Sequence, residues 1–270
     1  MHEVVIVGAG VAGLHTAWRL QRLGRSVCVL EARDRVGGRL LSHAIADRAG
    51  EPAGDVELGA TWIWSTERRV RALVRELALE TFDQHATGPV LYDVKGGGVQ
   101  AVPGGGATAP SIRLRGGTAA LARAITRKLA PGTVQLGRAV TAIEARRETG
   151  CVVSCEGHSS ESAAHVVVAV PPALALHAMR FEPPLPAALV RVAAATPVWM
   201  GAIVKSVAVY PAPFWRRAGR SGTALSNVGP LQEMHDHCGP DGRPAALFGF
   251  SAAGVPGAVP PTRAAVLNQL

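Results

Sequence analysis

The first forty residues alternate between continuous apolar runs and one stretch with a helical repeat. The run Val4–Val7 is β-branched and uninterrupted, which is typical of a central strand in a parallel sheet. Gly24 is placed to end the following helix, and a second strand is predicted at Val27–Glu31. The apolar positions at helical spacing between them are Leu14, Ala17 and Trp18. This pattern predicts a β-α-β unit with a right-handed crossover.

Two more helices are expected further along, each with a threonine as its N-cap. Thr66 precedes apolar positions at Val70, Leu73, Val74 and Leu77, and Thr118 precedes Leu121, Ala124, Ile125 and Leu129. Strands are predicted at Val134–Leu136, Ala139–Ala145, Cys151–Cys155, His165–Val170 and 198–210. Glycine and proline make 86–112 a mobile loop region in this interpretation. Residues after Pro211 are expected to form turns, up to a helix at Thr262–Leu270.

Composition narrows the class of protein. The chain has 270 residues, of which 48% are hydrophobic and 18% charged, so it is globular and not disordered. No apolar run approaches the roughly 20 residues that span a bilayer. The chain enters an apolar strand by Val4 without a basic leader, and four scattered cysteines do not make a disulfide scaffold. We therefore expect a soluble protein of the cytoplasm, with no membrane partner.

The net charge of +8 raises the question of nucleic-acid binding. Only three lysines are present, the arginines are dispersed and often stand beside acids, and aromatic residues make up 4% of the chain. Basic residues interleaved with aromatics are missing from the sequence. We expect no nucleic-acid partner.

A glycine-rich turn connects the first strand to the first helix. Its pattern is G-x-G-x-x-G, with glycines at Gly8, Gly10 and Gly13 and with Val11 and Ala12 between the last two. Such glycines permit the turn, the approach of a pyrophosphate and close packing of helix on strand. Glu31 follows Gly13 by 18 residues and ends the next strand, where a carboxylate accepts hydrogen bonds from a ribose. The pattern predicts a dinucleotide site, with a ligand-free tight turn as the alternative.

The residues after Glu31 distinguish between dinucleotides. Arg33 by itself would suit the 2′-phosphate of NADP. The run continues, however, as Glu31-Ala32-Arg33-Asp34-Arg35-Val36-Gly37-Gly38-Arg39. A second glycine pair followed by an arginine suits a longer ligand. With this run the sequence resembles the flavin-containing amine oxidases, which include monoamine, polyamine and L-amino-acid oxidases.

The resemblance extends over nearly the whole chain in the family's order. It includes Arg115–Gly117, Val166–Pro172, Phe181–Pro186 and Pro213–Arg216. It implies that FAD is bound by Gly8, Gly10, Val11, Ala12, Gly13, Glu31, Ala32, Arg33, Gly37, Gly38 and Arg39. It also implies that Gly59, Ala60, Thr61 and Trp62 run beneath the flavin and that Val140 contacts the adenine. No S-G-G-C attachment sequence is present, so we expect the FAD to be non-covalent.

Lys205 is the candidate catalytic residue. On the strand 198–210 it shares a face with Ile203, Val207 and Val209. An ammonium on an apolar face is costly unless it is paired or neutral. One interpretation is an edge lysine that extends to solvent. The resemblance implies another, in which Lys205 holds a water near flavin N5 and assists reoxidation by oxygen.

Other chemistry-bearing residues carry less weight in the sequence. His235–Cys238 contains ligand-type side chains, but its i, i+2 spacing without a second cluster favours a polar turn over a zinc site. Cys151 and Cys155 are interpreted as small core residues and not as a redox pair. We expect no metal site.

The predicted fold is α/β, with a Rossmann-like FAD domain and a smaller mixed-β substrate region. The FAD domain is expected to comprise 1–85 and 113–180, and an incomplete substrate region 86–112 and 181–270. Motifs of the family's C-terminal part are not recognisable, including the aromatic residues that enclose the amine. We therefore expect a homo-oligomer, or a complementing chain, to cover the exposed sheet.

The predicted activity is oxidation of an amine or amino acid to an imine, with O2 as acceptor and H2O2 as product. One alternative is a different FAD enzyme of the same fold, such as a desaturase or a porphyrinogen-type oxidase. The other is a non-catalytic FAD-binding subunit or fragment that needs a partner chain. Lys205 favours the amine oxidase, and the missing aromatic residues favour the alternatives.

Overall fold

The structure, a computed structural model, describes residues 1–46, 50–104, 110–146, 150–198, 201–252 and 269. Its elements in chain order are β1 (His2–Val7), α1 (Val11–Arg22), β2 (Val27–Leu30), β3 (Ser42–Ala46), β4 (Pro52–Glu57), β5 (Ile63–Trp64), α2 (Arg68–Glu76), β6 (Thr81–Asp83), β7 (Val90–Val94), β8 (Gly98–Val102), β9 (Ser111–Leu114), α3 (Ala119–Thr126), β10 (Val134–Gln135), β11 (Val140–Arg146), β12 (Gly150–Cys155), β13 (Glu161–Val168), α4 (Pro172–Ala178), β14 (Arg180–Glu182), α5 (Ala187–Ala195), β15 (Ile203–Tyr210), α6 (Phe214–Arg217), β16 (Ala224–Ser226), β17 (Glu233–Asp236) and β18 (Ala245–Ala252).

These elements form two units, each built from two separate stretches of chain. The first contains residues 1–40 and 121–198, and the second contains the described residues of 41–120 and 199–270. The boundary at 120/121 falls inside α3. Which unit serves the cofactor and which the substrate remains a prediction.

The first unit is a seven-stranded sheet in the order β10-β2-β1-β13-β12-β11-β14. Its centre is parallel, because β1 pairs in parallel with both β2 and β13. All of Val4–Val7 and Val27–Leu30 are buried, as expected for strands covered on both faces. The predicted β-α-β unit is confirmed, with Leu14, Ala17 and Trp18 buried on α1.

Strands β11, β12 and β13 form an antiparallel meander on one side of this parallel centre. The core of the unit includes Val5, Leu30, Val153 and Cys155. Cys155 is therefore a core residue, as predicted, whereas Cys151 is only partly buried. All four cysteines are free.

The second unit is built on a six-stranded sheet in the order β15-β18-β17-β16-β7-β8. Neighbours are antiparallel except for β16 and β7, which are parallel, so the sheet is mixed. Two smaller sheets accompany it, β3-β4 and β5-β9-β6. The predicted α/β class, with a parallel-centred sheet and a mixed-β region, is thus confirmed.

The loop prediction for 86–112 is wrong, because β7 and β8 form a hairpin inside the six-stranded sheet. Gly96 and Gly98 have φ angles of +76° and +69° in its tight turn, where L side chains are strained. The glycines therefore close a hairpin here. The prediction of turns after Pro211 is also wrong, because this stretch supplies strands β16, β17 and β18 of the same six-stranded sheet.

Two boundaries also differ from prediction. The strand predicted at 198–210 begins only at Ile203. Helix α2 has Glu67 and not Thr66 as its N-cap, and the Glu67 carboxylate accepts a hydrogen bond from the Trp64 N–H at 2.9 Å. The helix predicted at Thr262–Leu270 lies outside the described residues, apart from position 269. None of the described helices has the length and apolar content needed to cross a membrane.

Candidate functional site

The first unit places the glycine-rich turn at the start of α1. Gly10 is the N-cap of the helix, and no side chain caps it. The first N–H groups and the helix dipole are thereby available to an anion. A Cβ added at Gly10 would meet nothing within 4 Å, so the space in front of the helix end is open to a ligand.

The other two glycines of the motif are required by contacts within the protein. A Cβ at Gly13 would lie 2.0 Å from the carbonyl oxygen of Gly8, which no side chain tolerates. Gly8 itself has a φ of +102°. Gly8 and Gly13 therefore permit the strand and the helix to pack, and Gly10 leaves room for the ligand, as the motif predicts.

Glu31 ends β2 with its carboxylate turned toward this turn. It is 7% exposed, and its Oε2 accepts a hydrogen bond from the Ala9 N–H at 2.8 Å. Its Oε1 accepts another from the Arg33 N–H at 3.0 Å. These bonds fix a carboxylate beside the mouth of the turn, where the ribose of an adenine dinucleotide is held in this kind of fold.

The second glycine pair lies against the first motif. Gly37 forms a parallel bridge with Gly10, and a Cβ at Gly38 would approach Gly10 Cα to 3.3 Å. Arg35, which the sequence analysis did not single out, donates to the Gly38 carbonyl at 3.0 Å and braces this loop. Ala32, Arg33 and Arg39 are exposed beside it.

The segment before β11 is held next to Glu31 by backbone bonds. The Arg138 N–H donates to the Glu31 carbonyl at 2.8 Å, and the Gly137 N–H donates to the Arg33 carbonyl at 2.9 Å. Val140, the predicted adenine contact, follows directly and is 6% exposed. The structure therefore brings Val140 into the neighbourhood of Glu31, a residue distant from it in sequence.

The second unit contains Lys205 in a largely apolar environment. Its Nζ donates to the Gly59 carbonyl at 3.1 Å and to the Thr61 hydroxyl. The same Nζ lies 4.3 Å from the centre of the Phe248 ring. Burial lowers the pKa of Lys205 to about 7, partly offset by the charge of Glu57. The lysine therefore binds the very segment predicted to run beneath the flavin, and it does not extend freely into solvent.

Glu57 is the centre of a buried hydrogen-bond cluster that the sequence did not reveal. Its carboxylate accepts bonds from the Thr118 N–H at 2.6 Å, from the Thr118 hydroxyl at 2.8 Å and from Ser42 Oγ at 3.0 Å. The Ala119 N–H donates to Ser42 Oγ at 3.1 Å. Thr118 thus precedes α3 as predicted, but its hydroxyl and its N–H both bond Glu57, and the first N–H group of α3, that of Ala119, is satisfied by Ser42.

Burial raises the pKa of Glu57, while the bonds from Thr118 and Ser42 act in the opposite direction. The carboxylate lies four residues before Thr61 and is linked through Thr118 to the Ala60 carbonyl at 2.9 Å. Glu57 therefore fixes the segment on which Lys205 is bound.

His237 and Arg113 complete the buried polar cluster. His237 Nε2 accepts the Glu57 N–H at 2.7 Å, and burial holds the pKa of this imidazole well below its usual value. Arg113 is 5% exposed, donates to the Cys238 carbonyl at 2.7 Å, and burial lowers its pKa to about 10. The polar-turn prediction for His235–Cys238 is wrong: all four of these residues are buried on or beside β17, and Asp236 binds Trp215 and Arg216.

Several aromatic rings pack together next to this buried polar cluster, and one of them, Phe248, contacts His237. Trp62, the last residue of the predicted flavin segment, lies 4.9 Å from His235, 5.3 Å from Phe248 and 6.4 Å from Phe250, measured between ring centres. Its Nε1 donates to Gln84 at 2.9 Å. These side chains come from β17, β18 and the chain before β5, so only the fold assembles them.

The residues present fit an adenine dinucleotide. The uncapped helix end at Gly10, the open space before it and the fixed carboxylate of Glu31 provide sites for pyrophosphate and ribose. No group of three or more His, Cys, Asp or Glu able to hold a metal ion occurs among the described parts of the chain.

Comparison with protein families gives two matches. The family described as "Flavin containing amine oxidoreductase" matches residues 102–267. The NAD(P)-binding Rossmann-like domain matches residues 6–77. Together the two matches include the glycine-rich turn, Glu31, the Glu57–Trp62 segment and Lys205.

Individual proteins give the same picture. The probable flavin-containing monoamine oxidase A of Dictyostelium discoideum is 22% identical over 94% of this chain and 75% of its own length. The putrescine oxidase of Kocuria rosea is 44% identical over 90 residues, which are 33% of this chain and 18% of that protein. The structure of a putrescine oxidase triple mutant is similar in fold, with a TM-score of 0.81, 22% identity, and coverage of 94% of this chain and 76% of that one.

Proposed function

Because the chain belongs to the flavin-containing amine oxidoreductase family, with FAD as its cofactor, we propose that it oxidises an amine to an imine with O2 as acceptor. The balanced reaction converts R–CH2–NH2 and O2 into R–CH=NH and H2O2, and water then hydrolyses the imine. The observation that supports this proposal is Lys205, a buried amine bound to the Gly59–Thr61 segment.

The residues of the first unit are proposed to bind the nucleotide. The open N-terminus of α1 at Gly10 would hold the pyrophosphate, with Val11, Ala12, Gly37 and Gly38 beside it. Glu31 would accept hydrogen bonds from the ribose, and Val140 would contact the adenine. Arg33 and Arg39 would supply positive charge near the phosphates. Binding is proposed to be non-covalent.

When bound, FAD supplies the redox chemistry by accepting a hydride equivalent from the carbon next to the amine nitrogen. Lys205 is proposed to hold a water by its Nζ and to assist the return of electrons to oxygen. A pKa of about 7 allows this amine to gain and lose a proton near neutral pH. Gly59, Ala60, Thr61 and Trp62 would position the lysine and exclude bulk water.

The test begins with the natively purified protein. We expect a yellow protein whose visible spectrum is that of a flavin, FAD in the supernatant after acid precipitation, and H2O2 release with amines. Lys205→Met is expected to keep the colour and to slow reoxidation at least about tenfold, near 1.4 kcal/mol in barrier height. Unchanged oxygen kinetics in a stopped-flow trace would eliminate the role of Lys205, and a colourless protein without affinity for FAD would eliminate the function.

Two further parts of the proposal concern context. We propose a cytoplasmic protein, and a homo-oligomer or complementing chain that covers part of its surface. Peroxide release by the isolated chain would remove the alternative of a non-catalytic subunit. Turnover that starts only when a second polypeptide is added would support it.

A further inference from the structure

The Lys205 amine lies over an aromatic ring that is its diagonal neighbour in the six-stranded sheet. Lys205 on β15 pairs directly with Phe250 on β18, whereas Phe248 pairs with Val207. Direct and diagonal neighbours of this kind project from the same face of a sheet. The Lys205 Nζ lies 4.3 Å from the centre of the Phe248 ring and 5.9 Å from that of Phe250. The nearer ring is therefore Phe248, at a distance typical of a cation–π interaction.

The position of the Phe248 ring is set by its packing. Its side chain is fully buried, at 0% exposure. Four other rings contact it, with 4.9 to 5.4 Å between ring centres, and they belong to Trp62, His235, His237 and Phe250. A ring enclosed in this way does not turn aside when the charge on a neighbour changes. Phe248 therefore presents the same face to the Lys205 Nζ in both proton states of the amine.

The two proton states of Lys205 differ in the hydrogen bonds that they can form. The Gly59 carbonyl only accepts, so it takes one N–H in either state, at 3.1 Å. The Thr61 hydroxyl can accept a hydrogen bond or donate one. Nowhere in the described parts of the chain is there a third acceptor for Nζ. The ammonium therefore keeps one N–H for a further acceptor, such as a water, whereas the neutral amine has only two N–H groups to share.

Several charged or titratable groups lie around this amine, and they act differently from the ring. They are Glu57 on β4, Arg113 on β9, His237 after β17 and, on β17 itself, the hydrogen-bonded pair His235 and Glu233. Burial has the largest effect and lowers the pKa of Lys205, the charge of Glu57 raises it, and the charge of Arg113 lowers it further. The ring adds an attraction that none of these groups supplies.

We propose that Phe248 is a positioning residue that stabilises the ammonium form of Lys205 through the face of its ring. The ring quadrupole attracts a cation, and a neutral amine gains little from it. Phe248 therefore opposes the effect of burial and increases the share of Lys205 that is protonated near neutral pH. A water bound to Lys205 then accepts a hydrogen bond from the ammonium. This consequence for the oxygen step rests on the proposed amine oxidation, whereas the proton state of Lys205 does not depend on it.

The proton state of Lys205 can be measured directly, because the chain has only three lysines. The purified flavoprotein is labelled with ¹³C at the lysine Cε atoms and titrated by NMR across the pH range. Lys205→Met removes one signal and so assigns it. Lys95 and Lys128 are exposed and report any change that affects the whole protein. We expect the Lys205 signal of the wild-type protein to titrate with a midpoint at about pH 7.

Fluorination of Phe248 separates the attraction of the ring from its packing, because fluorine withdraws electron density from the ring face with little change in size. Replacement of Phe248 by mono-, di- and trifluorophenylalanine should lower the Lys205 midpoint stepwise, by about one pH unit in total. The same replacements at Phe250, the more distant ring, are the matched control and should shift the midpoint less than about half as much. None of the charged groups around Lys205 is altered.

The pH dependence of reoxidation provides a second measurement. Phe248→Leu keeps an apolar side chain but removes the ring, so its Lys205 midpoint should also fall by about one pH unit. If Lys205 assists reoxidation, the pH profile of the stopped-flow oxygen reaction should move to lower pH by the same amount.

Two results would overturn the proposal: a Lys205 midpoint that fluorination of Phe248 leaves unchanged, or equal shifts from Phe248 and Phe250. The fluorinated proteins decide even if Phe248→Leu does not fold. Because the titration needs no turnover, a stepwise shift in a protein that releases no peroxide would refute the proposed oxidation and leave the role of Phe248 intact. An unchanged midpoint in an active amine oxidase would refute the role of Phe248 alone.

Discussion

In the first unit the groups proposed to bind the nucleotide are mostly backbone groups, whereas in the second unit the groups beside Lys205 are mostly side chains. Gly8 and Gly13 let the strand and the helix pack closely, and Gly10 leaves the space before the helix end open. In the second unit Thr61 binds the Lys205 amine within a largely apolar environment, and the charge of Glu57 partly offsets the effect of burial on its pKa. The first region depends on a contiguous motif, and the second on residues far apart in sequence.

If the first unit depends on close backbone packing, a side chain added at a packed glycine should have the largest effect. Gly13→Ala places a Cβ 2.0 Å from the Gly8 carbonyl oxygen, so strand and helix must separate. We expect a loss of about 3 kcal/mol or more in the free energy of unfolding, together with loss of bound flavin. The measurements are denaturant unfolding and the flavin-to-protein absorbance ratio.

Gly10→Ala is the matched control, because its Cβ meets nothing within 4 Å. It should cost only about 1 kcal/mol as a poorer N-cap, yet weaken FAD binding by at least about tenfold. A Gly10→Ala protein with normal FAD affinity would contradict the placement of the pyrophosphate there.

The second unit should respond to pH through Lys205. Above pH 10.5 its amine is neutral in the folded and unfolded chain, and between about 7 and 10.5 only the unfolded chain binds the proton. The free energy of unfolding of the wild-type protein therefore rises with pH through that window, by roughly 1.4 kcal/mol for each pH unit. Lys205→Met lacks this dependence.

Chemical denaturation of both proteins across pH measures this effect. The advantage of Lys205→Met should be greatest below pH 7 and should shrink toward pH 10.5. Taking the difference between the two proteins removes the contribution of other titrating groups. A difference that does not change with pH would show that Lys205 is not held as a neutral amine.

A smaller effect is expected at Glu57, where substitution removes hydrogen bonds but introduces no steric clash. Glu57→Ala leaves the Thr118 N–H and the Ser42 hydroxyl without their acceptor, while the Thr118 hydroxyl keeps only the Ala60 carbonyl. We expect a loss of about 2 kcal/mol in the free energy of unfolding. Glu80→Ala, which removes an exposed ion pair, should cost less than about 1 kcal/mol. Equal losses in the two variants would mean that the Glu57 cluster does not stabilise the fold.

The sequence by itself determined the β-α-β unit, the glycine-rich turn and the position of Glu31. These features are local: the strand, the turn and the helix follow one another, and backbone geometry dictates which positions must be glycine. The same locality made Lys205 visible, as a charge on an apolar strand. For this reason the dinucleotide prediction needed no knowledge of distant contacts, whereas the choice of FAD came from the resemblance of Glu31–Arg39 to the flavin-containing amine oxidases.

Only the tertiary structure decided the rest of the second unit. The glycines of 86–112 were expected to form loops, but they close a hairpin whose strands pair within a sheet. His237 was expected in a polar turn, because only the pairing of distant segments brings it to Glu57. Burial and pairing depend on which segments meet, and short strands separated by turns carry little of that information in their own residues.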